Sequence, residues 1–253
     1  MKTTQERGGR PDDQPVAHAP VSRPRGGDSG LERAAEAVRE RVAEVKPHLR
    51  GWLHAATTPL ALAAGIVLIV LSPTATTRVG SSLFAATALL LFAVSAIYHR
   101  GTWGPGSYAF LRRFDHANIF LLIAGSYTPF TLILLEGTDR VVMLSVVWAG
   151  ALLGAFFQIA WPTAPRWLST PIYIALGWAA IFYAPDFVSG GAAVTTLVVV
   201  GGGLYTLGGI VYGLKKPDPF PTWFGFHEVF HTLTIAAFVC HYVAASLATY
   251  SLR

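Results

Sequence analysis

Seven runs of apolar residues, each near the length that crosses a bilayer, constrain this chain more than any other feature. They lie at approximately 52–71, 79–99, 111–135, 141–161, 167–184, 193–213 and 225–248. A helix needs about 20 predominantly apolar residues to span the hydrocarbon core. Composition agrees: 53% of the 253 residues are hydrophobic and only 13% are charged, whereas soluble domains carry about 25% charged residues. The predicted fold class is an all-α integral membrane protein, a bundle of seven transmembrane helices. The fifth run, 167–184, is short and the weakest of the set. Pro59, Pro129, Pro171 and the Gly201–Gly203 triplet fall inside runs, which membrane helices tolerate better than soluble ones. Gly150/Gly154 and Gly209/Gly213 form GxxxG pairs. These read first as close packing within the bundle and second as faces for a homo-oligomer.

The membrane domain is expected over 51–253, with two different segments ahead of it. Residues 1–30 are rich in Pro, Gly, Arg and Asp without apolar periodicity, the composition of a disordered tail. No apolar stretch follows the start closely enough to suit a cleaved signal peptide. Over 31–50, apolar residues recur at Leu31, Ala34, Ala35, Val38, Val42 and Val45 between charges, the spacing of an amphipathic lead-in helix. Such a helix either lies on the membrane surface or is solvated. The lone cysteine, Cys240, lies within the last run and can form no internal disulfide.

A formal charge of +5 would suit a nucleic-acid partner, but its distribution follows membrane topology instead. With the amino terminus cytoplasmic, the inner segments carry Arg33, Arg39, Arg41, Lys46 and Arg50, then Arg100, Arg112 and Arg113, then Arg166, then Lys215 and Lys216. The outer ones carry only Arg78, Arg140 and Arg253. The positive-inside rule therefore predicts the amino terminus inside and the carboxyl terminus outside. Trp52, Trp103, Trp167 and Trp223, near helix ends, form an interfacial belt on this reading.

That topology sets the depth of each polar residue. His99 ends the second run at the cytoplasmic side, with Ser95 one turn deeper on the same face. Asp115, the only aspartate within an apolar stretch, lies about one turn into the third. His227 and His231 open the seventh as an HxxxH pair, and i,i+4 spacing puts them on one helix face. Ionisable side chains at membrane depth are expensive and mark functional sites. A lone intramembrane histidine is ordinarily a packed, hydrogen-bonded residue, and an HxxxH pair alone says little. Three histidines with an aspartate at one depth favour a metal centre. Zn²⁺ suits it, since three neutral imidazoles leave an open position of the catalytic kind. Asp115 would then act as a base or orient a ligand histidine, and without a metal it would pair with His99 or His116. His54 either lines the site or only caps it. His241, ten residues past His231 and so about 15 Å deeper, is too far to share the ion and reads as a core hydrogen-bonding residue. Glu228 points off the HxxxH face and is expected to be solvated or interfacial.

SAIYH (Ser95–His99), FDHANIFLLIAGSYTPF (Phe114–Phe130) and HEVFH (His227–His231) resemble the three sequence blocks of the hemolysin III family, the bacterial branch of the progestin and adipoQ receptor superfamily. The resemblance runs from about residue 48 to the end, in block order. It implies a bacterial plasma-membrane protein, amino-in and carboxyl-out, with zinc held by His99, His227 and His231. It further implies Asp115 and Ser95 as water-side or supporting residues. In one place the chain departs from the family: an ExxNxxxH pattern commonly leads into the first helix, and here only its histidine is matched, by His54, while Pro47 and Arg50 occupy the earlier positions.

The leading functional expectation is a zinc-dependent hydrolase of membrane lipid amides or esters, with a role in membrane-lipid homeostasis. Asp115 would be its general base and Ser95 an oxyanion stabiliser. One rival is a non-enzymatic sensor or receptor whose zinc only holds helices together. Another is a pore, which needs rings of polar residues along several helices; these runs are too uniformly apolar for that. Membrane lipids are the expected partners.

Overall fold

The computed structural model describes residues 47–252. The expected tail over 1–30 and the greater part of the lead-in helix lie outside the described residues; residues 48–51 form a turn. Among the described residues the regular elements are helical. They are α1 (Trp52–Leu71), α2 (Ala75–Arg100), α3 (Pro105–Leu134), α4 (Gly137–Ala160), α5 (Arg166–Gly177), a 3₁₀ turn (Ala179–Tyr183), α6 (Ala184–Ser189), α7 (Ala192–Leu214) and α8 (Phe226–Tyr250). Among the described residues seven spans are long and apolar enough to cross a membrane, with Trp167–Ser189 counted as one.

Local chemistry marks the helix starts. At α2, the Thr74 side chain accepts from the Thr77 backbone N–H at 3.2 Å and the Thr77 hydroxyl accepts from Thr74 N at 3.1 Å, a reciprocal cap. Pro105 begins α3, where its missing N–H costs nothing. At α8 the Glu228 carboxylate reaches back to accept the Gly225 N–H at 2.9 Å. The third helix starts earlier than its apolar run predicts, so Asp115 lies in its third turn; residues 105–110 are exposed and burial sets in only around Phe114–Ala117.

Each helix packs on its neighbour in sequence from α1 to α4, α7 packs on α8, and α8 closes the ring against α1. α3 also touches α8, α5 and α6 and is the most buried span, so it forms the axis of the bundle. Large apolar side chains point outward: Leu60, Phe156 and Phe182 are 69%, 69% and 83% exposed. Ser81, Asn118, Thr128 and Thr131 are buried instead. An apolar exterior around a polar-containing interior is stable in lipid, where interhelical packing and hydrogen bonds hold helices together. Trp148 Nε1 donates to Thr128 Oγ1 at 3.1 Å, and the Tyr242 hydroxyl donates to the Ala64 carbonyl at 3.0 Å.

The fifth span is a broken helix, which explains its weak sequence signal. α5 stops at Gly177 and the chain continues through the 3₁₀ turn into α6. A break inside a membrane frees backbone groups that need partners, and Tyr127 of α3 serves both sides of it. Its hydroxyl donates to the Gly177 carbonyl at 2.5 Å and accepts from the Ala180 N–H at 3.1 Å.

The GxxxG glycines are used within the bundle. A Cβ at Gly150 would come 2.8 Å from Leu176 Cδ1, and one at Gly154 would overlap the Phe120 ring. Gly209 and Gly213 face Thr170, with Ile174 also near Gly209. Trp52, Trp103, Trp167 and Trp223 are all exposed, as an interfacial belt requires.

Candidate metal centre

Two helices bring His99, His227 and His231 together. His99 lies in the last turn of α2 and the pair opens α8, so one end of each helix supplies the layer. One ligand nitrogen from each ring lies within 4.8 Å of the others. The Nε2 atoms of His99 and His227 are 3.2 Å apart. Two nitrogens at 2.0–2.1 Å from a tetrahedral zinc would be separated by about 3.3 Å, so this donor pair is spaced for one ion. His227 and His231 face each other with ring centroids 4.4 Å apart, as the HxxxH spacing predicts. The three rings can hold a metal ion.

Asp115 stands beside this group, its Oδ2 3.7 Å from His99 Nε2 and 3.9 Å from His116 Nδ1. Ser95, buried one turn below His99, is within hydrogen-bonding reach of the Asp115 carboxylate. The expected convergence of Ser95, His99, Asp115, His227 and His231 is therefore present. His241 stays outside it, as expected, and is absent from the ligand group. His54 lies flat on His231, with centroids 3.8 Å apart and planes 15° from parallel. It is buried, with both ring nitrogens unpartnered, so it lines the site rather than capping the helix.

His116 Nδ1 donates to the Arg112 carbonyl at 2.8 Å, because a carbonyl can only accept. In the neutral ring Nε2 is then an acceptor, and it meets the Tyr212 hydroxyl at 3.0 Å. Tyr212 also packs edge-on against His227. Sequence reasoning missed Tyr212, since no spacing connects it to residues on α3 and α8.

The expectation for Glu228 is corrected. It is fully buried, paired with the Arg50 guanidinium as well as with the Gly225 N–H. Facing away from the histidine pair does not lead to solvent here, because the segment before α1 covers that side. His48 stacks on Trp223 with centroids 4.4 Å apart, and the backbone N–H groups of His48 and Leu49 donate to the carbonyls of Thr222 and Trp223. Buried carboxylates need a partner charge, and Arg50 provides it. The departure at Arg50 from the family pattern was the one available signal.

From the histidine layer an apolar cavity of about 320 Å³ runs into the bundle. Ser95, Asp115, His227 and His231 line one end; Phe187, Val198 and His241 line the remainder. That is the size class of small-molecule pockets.

Among the described residues, seven apolar spans of bilayer length and a three-histidine cluster define a multi-pass membrane protein with a candidate metal centre at one end of the bundle. The family model described as "Haemolysin-III related" matches residues 42–242, and the chain belongs to that family. It is 33% identical over 211 residues to the "Hemolysin-3 homolog" of Bacillus subtilis (strain 168), covering 80% of this chain and 93% of the relative. It is 30% identical over 190 residues to "Hemolysin-3" of Bacillus cereus, covering 74% and 84%.

Proposed function

We propose that this protein is a zinc-dependent hydrolase of membrane lipid amides or esters, placed in the bacterial plasma membrane with its amino terminus inside and its metal centre at the cytoplasmic end. One observation carries the reading: two of the three metal-competent imidazoles, His227 and His231, line the end of an apolar cavity with the Asp115 carboxylate and the Ser95 hydroxyl, and His99 stands beside them. Neutral imidazole nitrogens spaced like zinc ligands fit that ion, and His99, His227 and His231 would hold it. When bound, zinc supplies Lewis acidity, polarising a carbonyl and making water a nucleophile near neutral pH.

The chain's own residues supply the rest. Asp115 takes the proton of the attacking water and returns it to the departing amine nitrogen or alkoxide oxygen, so the carbonyl–heteroatom bond breaks with the protons balanced. The Ser95 hydroxyl, within reach of Asp115, donates toward the oxygen that gains charge. His54, flat against His231, restricts the tilt of that ring. The apolar wall of Ile119, Ile123, Val198 and Val199 accommodates an acyl chain and keeps bulk water from the reacting carbonyl.

The test is lipid mass spectrometry of membranes incubated with purified zinc-loaded protein or its Asp115→Asn variant. Removal of a general base costs about 10² to 10⁴-fold, so the variant should retain zinc while its lipid turnover nearly vanishes. If no lipid is consumed faster by the unsubstituted protein, the hydrolase reading fails and a sensor with a structural metal takes its place.

A further inference from the structure

The cavity contains a second polar locus, away from the histidine cluster, which the hydrolytic chemistry does not use. His241 and Tyr205 both line it. His241 Nδ1 and the Tyr205 hydroxyl are buried without a hydrogen-bond partner. The two rings stack with centroids 5.5 Å apart and planes 24° from parallel. His241 as a whole is 8% exposed, and its imidazole is pressed against α7: a Cβ at Gly201 would come 3.1 Å from Nε2.

Other hydroxyls along this part of the cavity already donate within the protein. Ser126 donates to the Ile123 carbonyl, Thr195 to the Phe187 and Gly191 carbonyls, Thr206 to Gly202, and Thr234 to Phe230. The Tyr127 hydroxyl is held by the break after α5. His241 and Tyr205 differ from these in having spare capacity. The imidazole has the Val198 carbonyl as a backbone partner, so a neutral ring donates there and leaves its other nitrogen as an acceptor. A phenol both donates and accepts. An acceptor beside a donor–acceptor is complementary to one chemical group above others, an alcohol, which donates to the imidazole nitrogen while accepting from the phenol. Leaving such groups unpaired away from water is unfavourable, and ionisable residues at membrane depth ordinarily have a use.

We infer that the cavity binds a lipid whose acyl chain carries a hydroxyl group, held by His241 and Tyr205 while the carbonyl lies at the histidine end. This rests on the lipid-binding reading of the cavity proposed above and adds the class of chain it selects. The spacing sets where the hydroxyl belongs. His231 and His241 are ten residues apart on α8, about 15 Å along the axis. An extended chain advances about 1.2 Å per bond, from the span of a fully extended backbone over its three bonds per residue. The hydroxyl therefore falls about 12 carbons from the carboxyl carbon.

The experiment is competition for the zinc-loaded protein in detergent, with stearate, 12-hydroxystearate and 2-hydroxystearate each displacing a fluorescent fatty acid. The readout is the ratio of stearate to hydroxystearate dissociation constants. Two net hydrogen bonds correspond to a ratio of about ten for the 12-hydroxy acid. In Tyr205→Phe, which keeps the ring stack, and in His241→Leu that ratio should fall to near one. The 2-hydroxy acid, whose hydroxyl lies at the histidine end, should show no Tyr205-dependent preference. A ratio near one in the unsubstituted protein, or a ratio of ten that survives Tyr205→Phe, overturns the inference while leaving the lipid cavity intact. Failure of all three acids to displace the reporter overturns the lipid-binding reading itself, and this inference with it.

Discussion

His99 and His227, 128 residues apart in the chain, hold their Nε2 atoms 3.2 Å from each other. Two imidazoles so placed share either a proton or a metal ion, and His231 beside them favours the metal. Purified protein should therefore carry about one zinc per chain, as open three-ligand sites do. Elemental analysis should show a sharp loss of zinc in His99→Ala, His227→Ala and His231→Ala. His241→Ala, outside the ligand group, should keep it. Full zinc retention in the His227→Ala/His231→Ala double variant would remove the basis for the site.

Arg50→Met strands Glu228 as a buried, uncompensated charge at the start of the ligand-bearing helix. Breaking a buried ion pair from one side costs about 3–5 kcal/mol. Arg50 is partly exposed, its side chain 21% accessible, so the loss should lie toward the lower figure. The expected result is a clear drop in detergent melting temperature. Adding Glu228→Gln should recover much of it, because the charge is gone while the amide oxygen can still accept the Gly225 N–H. A double variant no more stable than Arg50→Met alone would show that the charge is not the source of the loss.

Gly154→Ala should destabilise the bundle, since the new methyl overlaps the buried Phe120 ring on α3. Overpacking of this kind costs about 1–3 kcal/mol. Gly202→Ala has no neighbouring atom within 4 Å of its new Cβ and should melt like the unsubstituted protein. Equal melting temperatures for the two variants would contradict the α3–α4 packing.

Orientation is tested by fusions. A reporter active only outside the cytoplasm should be silent after Lys216 and active after Arg253, because the loops rich in Lys and Arg should remain inside. Activity at both positions, or at neither, would refute an odd number of crossings between them.

Much of this protein was legible from one sequence. Apolar runs of bilayer length identify the spans directly, because lipid allows only structures that satisfy their own backbone. The run ends place His99, Asp115, His227 and His231 in one layer, and those residues do converge. The apolar run starts α3 too late, because Pro105–Phe110 is helical yet exposed and leaves no apolar signature. The broken fifth span looked merely short, since its continuity depends on the Tyr127 hydroxyl of another helix.

Sequence by itself determined the class of fold, the spans and the metal-competent residues, since periodicity and hydropathy act along the chain. Only the tertiary structure decided which groups complete the site. Whether Glu228 is solvated depends on what covers it, and Arg50 comes from 178 residues away. His54 on His231, Tyr212 on His116 and Tyr205 against His241 are likewise contacts between helices. Helix rotation and packing set such contacts, and a side chain's neighbours across a bundle are not encoded in the spacing of its own helix.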